Sequence, residues 1–455
     1  MKNYRIPPLI APRFAGRNVS TGPPDRGLRR TRAWRFRRVL CGLAASFMIA
    51  SPISAASPHE LQLGAKLVGI GAVGPAEQGW SVALSADGRT AIVGGIVDNK
   101  LTGAVWVFTR DGDVWTQQGD KLVGTNGVGQ GGQGSSVALS ADGNTAIVGG
   151  PYDNSNTGAV WVYNRNGTVW TQQGSKLIGM GAVGQARQGA SVALSADGNT
   201  AIVGGPLDNA SVGAAWVFVR SAGTWTQQAS KLVGTGPVGI AHQGASVALS
   251  ADGNTAMVGG PSDNSYAGAA WIYIRNGTAW AQQGNKVVGA GAVGHAGQGF
   301  SAALSADGNT AIVGGIGDDS YVGAAWVYGR RVTVWTQQGD KLVGTGAVGI
   351  ARQGHSVALS ADGSTAIIGG PYDNTYTGST WVYSRGSNDW TQQGNKLVGS
   401  LAVGHAEQGF SVAISADGNT AIAGGIADNR VSGAAWVHSR SEGVWTPTPA
   451  PHLGF

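Results

Sequence analysis

The chain repeats itself seven times, and that repetition constrains it more than any single motif. The tetrapeptide KLVG, once written KLIG and once KVVG, begins at Lys66, Lys121, Lys176, Lys231, Lys286, Lys341 and Lys396, always 55 residues apart. No insertion or deletion interrupts the series. The idealised unit reads KLVGxGAVGxAxQGxSVALSADGNTAIVGGPxDNxxxGAAWVYxRxGxxWTQQGx. A strict period of this length means structural units that each pack on their neighbours and cannot bury a core alone.

Each unit divides into four strand-like stretches. SVALS ends in Ala-Asp-Gly, and an Asp-Gly pair between apolar runs is a strong hairpin signal. TAIVGG follows and ends at the PxDN loop, then GAAWVY, then WTQQGxKLVG. The stretches are apolar on both faces, as in a sheet covered on both sides. Helical periodicity is absent throughout. Four short strands per unit predict an all-β fold, a seven-bladed β-propeller of four-stranded antiparallel blades. A parallel β-helix is the competing architecture, but its rungs are usually shorter and do not require four turns each. The last unit breaks off after Trp445 and Thr446, before its QQGxKLVG portion, and residues 61–69 supply a matching stretch. The N-terminal segment is therefore expected to close the last blade and remove an exposed sheet edge.

Composition bears on the partner class. Formal net charge is +6, but residues 1–40 hold eleven basic residues and one acid, so the remainder carries 20 basic and 24 acidic groups, a net −4. Nucleic-acid binding needs Lys and Arg clustered on the folded body, so no nucleic-acid partner is expected. Gly is 77 of 455 residues without a G-x-y period, which excludes collagen. The leader reads RRTRAWRFRR at 29–38, then VLCGLAASFMIA, then SPISAAS. A basic n-region, short h-region and small residues mark a secretory signal, with the cut expected after Ala56. The apolar run falls short of the roughly 20 residues of a membrane span; an uncleaved anchor is the alternative, and membrane association is expected through the leader alone. The chain thus divides into a leader over 1–56, a propeller over 57–446 and a tail over 447–455, in a protein that is secreted, periplasmic or at the cell surface. Its single cysteine, Cys41, lies in the leader, leaving the body without disulfide, thiolate metal site or cysteine nucleophile.

The unit resembles the FG-GAP repeat of integrin α-subunit propellers and their bacterial relatives. Gln-Gly-Phe-Ser at 298–301 and 408–411 corresponds to the Phe-Gly-Ser region that opens the first strand. Gly-Gly-Pro at 149–151, 204–206, 259–261 and 369–371 corresponds to the Gly-Ala-Pro that ends the second. The resemblance covers residues 60–446. It implies a seven-bladed propeller, usually extracellular, used in adhesion or ligand binding. Integrin-type blades often carry an acidic calcium loop after the first strand. Here that loop is Ser-Ala-Asp-Gly-Asn-Thr, with one carboxylate (Asp142, Asp197, Asp252, Asp307, Asp417, and Asp87 and Asp362 in variant contexts). Calcium wants six to eight oxygens, so an Asx-type turn is the expectation, and neither metal nor cofactor is assigned.

Variation among the units gathers in two places. One is the segment before the first strand, such as Pro75-Ala76-Glu77 or Ile350-Ala351-Arg352; the other follows the Asp-Asn pair. In an antiparallel blade both lie at one end, which predicts a variable face, and loops on a rigid scaffold are the usual home of binding residues. That face carries aromatics outside the repeat frame: Trp80, Phe300, His355 and Phe410 at one position, Tyr152 and Tyr372 at a second, Tyr266, Tyr321 and Tyr376 at a third. They read either as anchors for a protein or glycan partner or as filling near the channel. Two Trp series, one from Trp106 to Trp436 and one from Trp115 to Trp445, occur in every unit and read as blade packing. The Asp-Asn pairs, from Asp98-Asn99 onward, read as turn caps bonding their own backbone. The histidines lack metal spacing, no nucleophile elbow has a triad context, and no catalytic residue is assigned. The chain reads as a binding or adhesion module and not an enzyme, with a polysaccharide lyase or hydrolase as the alternative.

Overall fold

A computed structural model describes residues 66–387 and 389–447; the leader, its cleavage point and the tail after 447 lie outside these residues. Seven antiparallel sheets stand in a ring. Blade 1 comprises Gln78–Leu84, Thr90–Gly95, Ala104–Asp111 and Val114–Gln117, from the channel outward, and blades 2 to 6 repeat it at the unit spacing. Blade 7 comprises Ser411–Ile414, Thr420–Gly425, Ala434–Ser441 and Val444–Pro447, completed by Lys66–Leu67 from the other end of the chain. Lys66 pairs with Trp436 and Leu67 with Ala435, so the expected closure by the N-terminal segment is present.

Two circles of bonds tie the blades around the channel. At the hairpin end, each Ala of Ser-Ala-Asp-Gly donates its N–H to the same Ala of the next blade at 2.8–3.0 Å, from Ala86 to Ala141 and finally from Ala416 back to Ala86. At the other end, each Ser of the first strand donates its hydroxyl to a glycine carbonyl of the next blade, from Ser81 to Gly134 and finally from Ser411 to Gly79 at 2.8 Å. Both circles close through the same seam, between blades 7 and 1.

The repeated motifs are consequences of close packing. The third-strand Trp is fully buried in every blade (Trp106, Trp161, Trp216, Trp271, Trp326, Trp381, Trp436). Trp106 donates its indole N–H to the Ile70 carbonyl at 2.8 Å, and a Cβ on Gly69 would overlap its ring; that is why KLVG ends in glycine. The Gln of AxQG clamps the same glycine: Gln78 Oε1 accepts from Gly69 N at 2.5 Å and its Nε2 donates to Gly69 O at 2.9 Å. The second Trp series also serves packing, since Trp170, Trp225, Trp280 and Trp335 each donate to a Gln of the preceding blade at 2.9–3.0 Å. The expected Asx turn is there too: Asp142 Oδ1 accepts from Ser140 Oγ and Asn144 N at 2.5 and 2.9 Å.

Two features depart from the sequence reading. The outer strand is broken in most blades, with a short strand such as Val114–Gln117 followed by a lone bridge from Leu122 to Val105; in blade 3 it runs unbroken over Thr224–Leu232. Gly119 lies within the break at φ 70°, and Ala229 takes up the same conformation at φ 63° within the unbroken strand. The Asp of the Asp-Asn pair does not make the expected bond to the backbone of its own turn, but reaches across to two other connections. Asp98 is buried, accepts the Val73 N–H at 2.7 Å and pairs with the Lys121 ammonium at 2.5 Å. Seven such pairs recur, the last between Asp428 and Lys66 at the seam. A fully buried carboxylate needs a counter-charge and donors, and the two lie 23 residues downstream and 25 upstream. The three residues after each Asp then form a left-handed turn, with φ of 48°, 57° and 71° at Asn99, Lys100 and Leu101. Consecutive L-residues in that region are unfavourable by about 1–2 kcal/mol each, and the Asp frame holds them there in every blade.

Candidate functional site

Gln78 lies opposite Gly95 in the register of the first two strands, so the segment before the first strand and the loop after the second emerge at one end of the channel. The conserved-looking hairpins occupy the other end. The variable face is thus one mouth of the ring, and its side chains fall into three concentric sets.

The inner set is the position of Trp80. Phe300, His355, Phe410 and Trp80 belong to blades 5, 6, 7 and 1 and pack in that order, with ring centroids 5.1, 4.5 and 5.0 Å apart. All four are half-buried. His355 Nδ1–H donates to the Phe410 carbonyl at 2.8 Å, which fixes the tautomer, and enclosure of its imidazole pulls its pKa down to about 4. These four fill half of the mouth against each other. Ser135, Ala190 and Ala245 stand at the same position in the other half, so the repeat symmetry is broken. Below them the channel is walled by aliphatic side chains of the innermost strands, such as Val82, Leu84, Leu194 and Val412, around a cavity of about 300 Å³.

The middle set is a rim of residues held at φ 53–67°: Glu77, Gly132, Arg187, His242, Gly297, Arg352 and Glu407. Tyr152 and Tyr372 stand on this rim. Arg187 lies 5.2 Å over Tyr152, and Arg352 lies between Tyr372 at 4.4 Å and Tyr321 at 5.1 Å. Glu77 and Glu407 face each other's field across the seam. Burial raises both to about 7; for Glu407 the Glu77 charge adds to the rise and Arg352 opposes it. His242 exchanges a 2.8 Å hydrogen bond with Ser262.

The outer set is the third residue of the left-handed turns. Tyr266, Tyr321 and Tyr376 are 46, 50 and 47% exposed, whereas Tyr163, Tyr273, Tyr328 and Tyr383 are core residues at 3–4%. Beside every turn a valine, from Val73 to Val403, is also 51–54% exposed. Of the nine aromatics expected on this face, the structure brings four together as a plug, places two on the rim and leaves three outside. Sequence reasoning passed over the rim charges and the valine circle. Their signal was present in the variable segment, but which residues meet depends on ring geometry. Among the described residues no group of three His, Cys, Asp or Glu side chains is arranged to hold a metal ion, and no helix is long and apolar enough to cross a membrane.

The opposed shifts give a pH prediction. Unfolded glutamates ionise near 4.5, but Glu77 and Glu407 resist ionisation to about 7, so their share of stability falls as pH rises between those values. Unfolded histidine protonates near 6.5, but His355 resists to about 4, so its share falls as pH drops across that window. Calorimetry should show Glu77→Gln/Glu407→Gln gaining on the parent steadily from pH 4.5 to 7. His355→Phe, the residue of the flanking blades, should gain as pH falls from 6.5 to 4. Melting profiles parallel to the parent's would contradict the assignment.

No family model matches the chain, and no curated protein matches it. The fold itself defines the class: a seven-bladed β-propeller built from one repeated unit.

Proposed function

We propose that this chain is an exported binding or adhesion module of the FG-GAP kind, without enzymatic activity, that engages an extracellular protein or glycan through the channel mouth described above. One observation carries the reading. The seven blades keep one rule in the core and in the Ser-Ala-Asp-Gly hairpins around the channel, and break it around the channel mouth, where plug, rim and outer tyrosines differ from blade to blade. Variable side chains gathered around one channel mouth of a rigid frame are what recognition uses.

The alternative, an enzyme that cleaves polysaccharide, would draw on the two rim carboxyls, Glu77 and Glu407, because such chemistry uses two carboxyl groups, one of them an acid with raised pKa. A single comparison separates the readings. Panels of glycans and of extracellular proteins are offered to the full chain, to a mouth variant (Arg352→Gly with Tyr372→Ser, residues that other blades hold at these positions) and to a hairpin variant (Arg89→Asn with Ser364→Asn). Loss of a bound partner by the mouth variant alone supports the proposal. Loss by the hairpin variant alone moves the site to the other face. Turnover of a polysaccharide that stops in Glu77→Gln favours the enzyme.

A further inference from the structure

The outer tyrosines carry an inference that rests on the binding reading and narrows its ligand. Their repeat position is Leu101, Asn156, Ser211, Tyr266, Tyr321, Tyr376 and Val431 in the seven blades. Tyrosine therefore occurs in three consecutive blades and nowhere else in the series. At φ 69°, 72° and 66° these residues sit where a bulky side chain is disfavoured and where the Asn156 of blade 2 is at ease. With half of each ring in solvent, burial returns little. Tyr266, which has no ring or cation partner among the described residues, gains the least in return, and a residue that breaks a local rule for little gain is a candidate for function.

The turns that carry these tyrosines are nevertheless fixed in place. Each turn is pinned to the next blade, since the Tyr266, Tyr321 and Tyr376 carbonyls accept from Gly297, Arg352 and Glu407 N–H at 2.8–3.0 Å. Arg352 stacks on Tyr321 and on Tyr372, and Tyr372 meets Tyr376 edge-on at 5.0 Å. His405 lies 6.4 Å from Tyr376 on its far side. The outcome is an arc of three tyrosines at one repeated position in consecutive blades, on turns held by the next blade, with the Tyr321 and Tyr376 rings braced by their neighbours.

The neighbours specify chemistry. Two residues before each Tyr stands an exposed amide or carboxylate (Asn264, Asp319, Asn374), and a hydroxyl residue lies between. Aromatic faces take the C–H face of a pyranose ring, while amides, carboxylates and hydroxyls take its hydroxyl groups. No block of one charge lines the arc, because Arg352 lies in the field of Glu407. The geometry points to a neutral polysaccharide as the ligand, lying across blades 4, 5 and 6 with sugar rings on Tyr266, Tyr321 and Tyr376.

Three weak subsites on one rigid arc act together, so a polymer is held and a monosaccharide is not. The test is affinity electrophoresis of the full chain in gels containing hydroxyethylcellulose, soluble starch, laminarin, galactomannan or xylan, with hyaluronan as the acidic control. At least one neutral polymer should retard the parent, and hyaluronan should not. Each Tyr→Asn change, which installs the residue of blade 2, should weaken retention by about threefold to tenfold. The triple change Tyr266→Asn, Tyr321→Asn, Tyr376→Asn should abolish it, while Tyr→Phe at the same positions keeps most of it. Tyr266→Asn should melt no lower than the parent, a result that a structural role for this ring would not give. Retardation by no neutral polymer, or equal retardation of parent and triple variant, overturns the inference. If a protein partner is still lost by the mouth variant in that event, the binding reading stands and only the ligand class falls.

Discussion

Removal of residues 58–69 should lower the melting temperature by roughly 10 °C or more and open the ring. Three losses coincide at one seam. Leu67 is fully buried in the core cluster shared by blades 7 and 1, and emptying such a site is unfavourable by about 2–5 kcal/mol. Lys66 neutralises Asp428, whose side chain is 1% exposed, and an abandoned buried charge destabilises by about 3–5 kcal/mol. Gly69 is the residue that Gln78 clamps and against which Trp106 packs, so the first blade loses its underside as well. The shift follows from about 2 °C of melting per kcal/mol in a domain larger than 150 residues. The truncated seventh blade would expose the inner part of its third strand, and an open edge pairs with whatever edge it meets. Light scattering should therefore report association of the truncated chain. An unchanged melting curve would show that the two circles of hydrogen bonds close the ring unaided.

Much of this architecture could be read from the chain before any coordinates, because the period does the work that alignment usually does. Seven copies at one spacing averaged away the noise of single-sequence reading: the strand order, the hairpin turns, the two Trp series and the closure by the N-terminal segment all follow from positions that never vary. What escaped was pairwise. Asp98 looked like a turn residue because its lysine and its valine lie 23 and 25 residues away, each on a different strand connection. Glu77 and Glu407 are 330 positions apart, and Glu407 feels the Glu77 charge because the ring brings blade 7 to blade 1. The aromatic plug was legible as a shared repeat position, but its continuity from Phe300 to Trp80 depends on which blades are neighbours across the seam. Repetition discloses what each blade does alone, and closure decides what the mouth becomes.

The Asp–Lys pairs should also separate into an order that burial alone dictates, and blade 5 is the place to see it. Asp318 is 1% exposed in its side chain and Lys341 is 19% exposed, at a separation of 2.5 Å. Lys341→Met strands the carboxylate, which has no route to water, so it should destabilise by about 3–5 kcal/mol. Asp318→Asn strands the ammonium, which has such a route, and keeps an oxygen for the Val293 N–H that Asp318 accepts at 2.7 Å. Its effect should be nearer 1–2 kcal/mol, by analogy with loss of one charged hydrogen bond. Asp318→Ala removes the acceptor too and leaves a buried N–H unpaired, which adds about 1–3 kcal/mol. The melting order should be parent, Asn variant, Ala variant, with Lys341→Met at or below the last. Combining Asp318→Asn with Lys341→Met should recover part of the loss seen for Lys341→Met alone, since no charge then remains to be buried. The same pair holds the left-handed turn at Asp319, Ser320 and Tyr321. Any ligand gripped through Tyr321 should therefore weaken in the Ala variant well below its melting temperature, at a site the substitution does not touch. Equal melting of Lys341→Met and Asp318→Asn would mean that the carboxylate finds water after all, and that the turns are held by their backbone bonds and not by the ion pair.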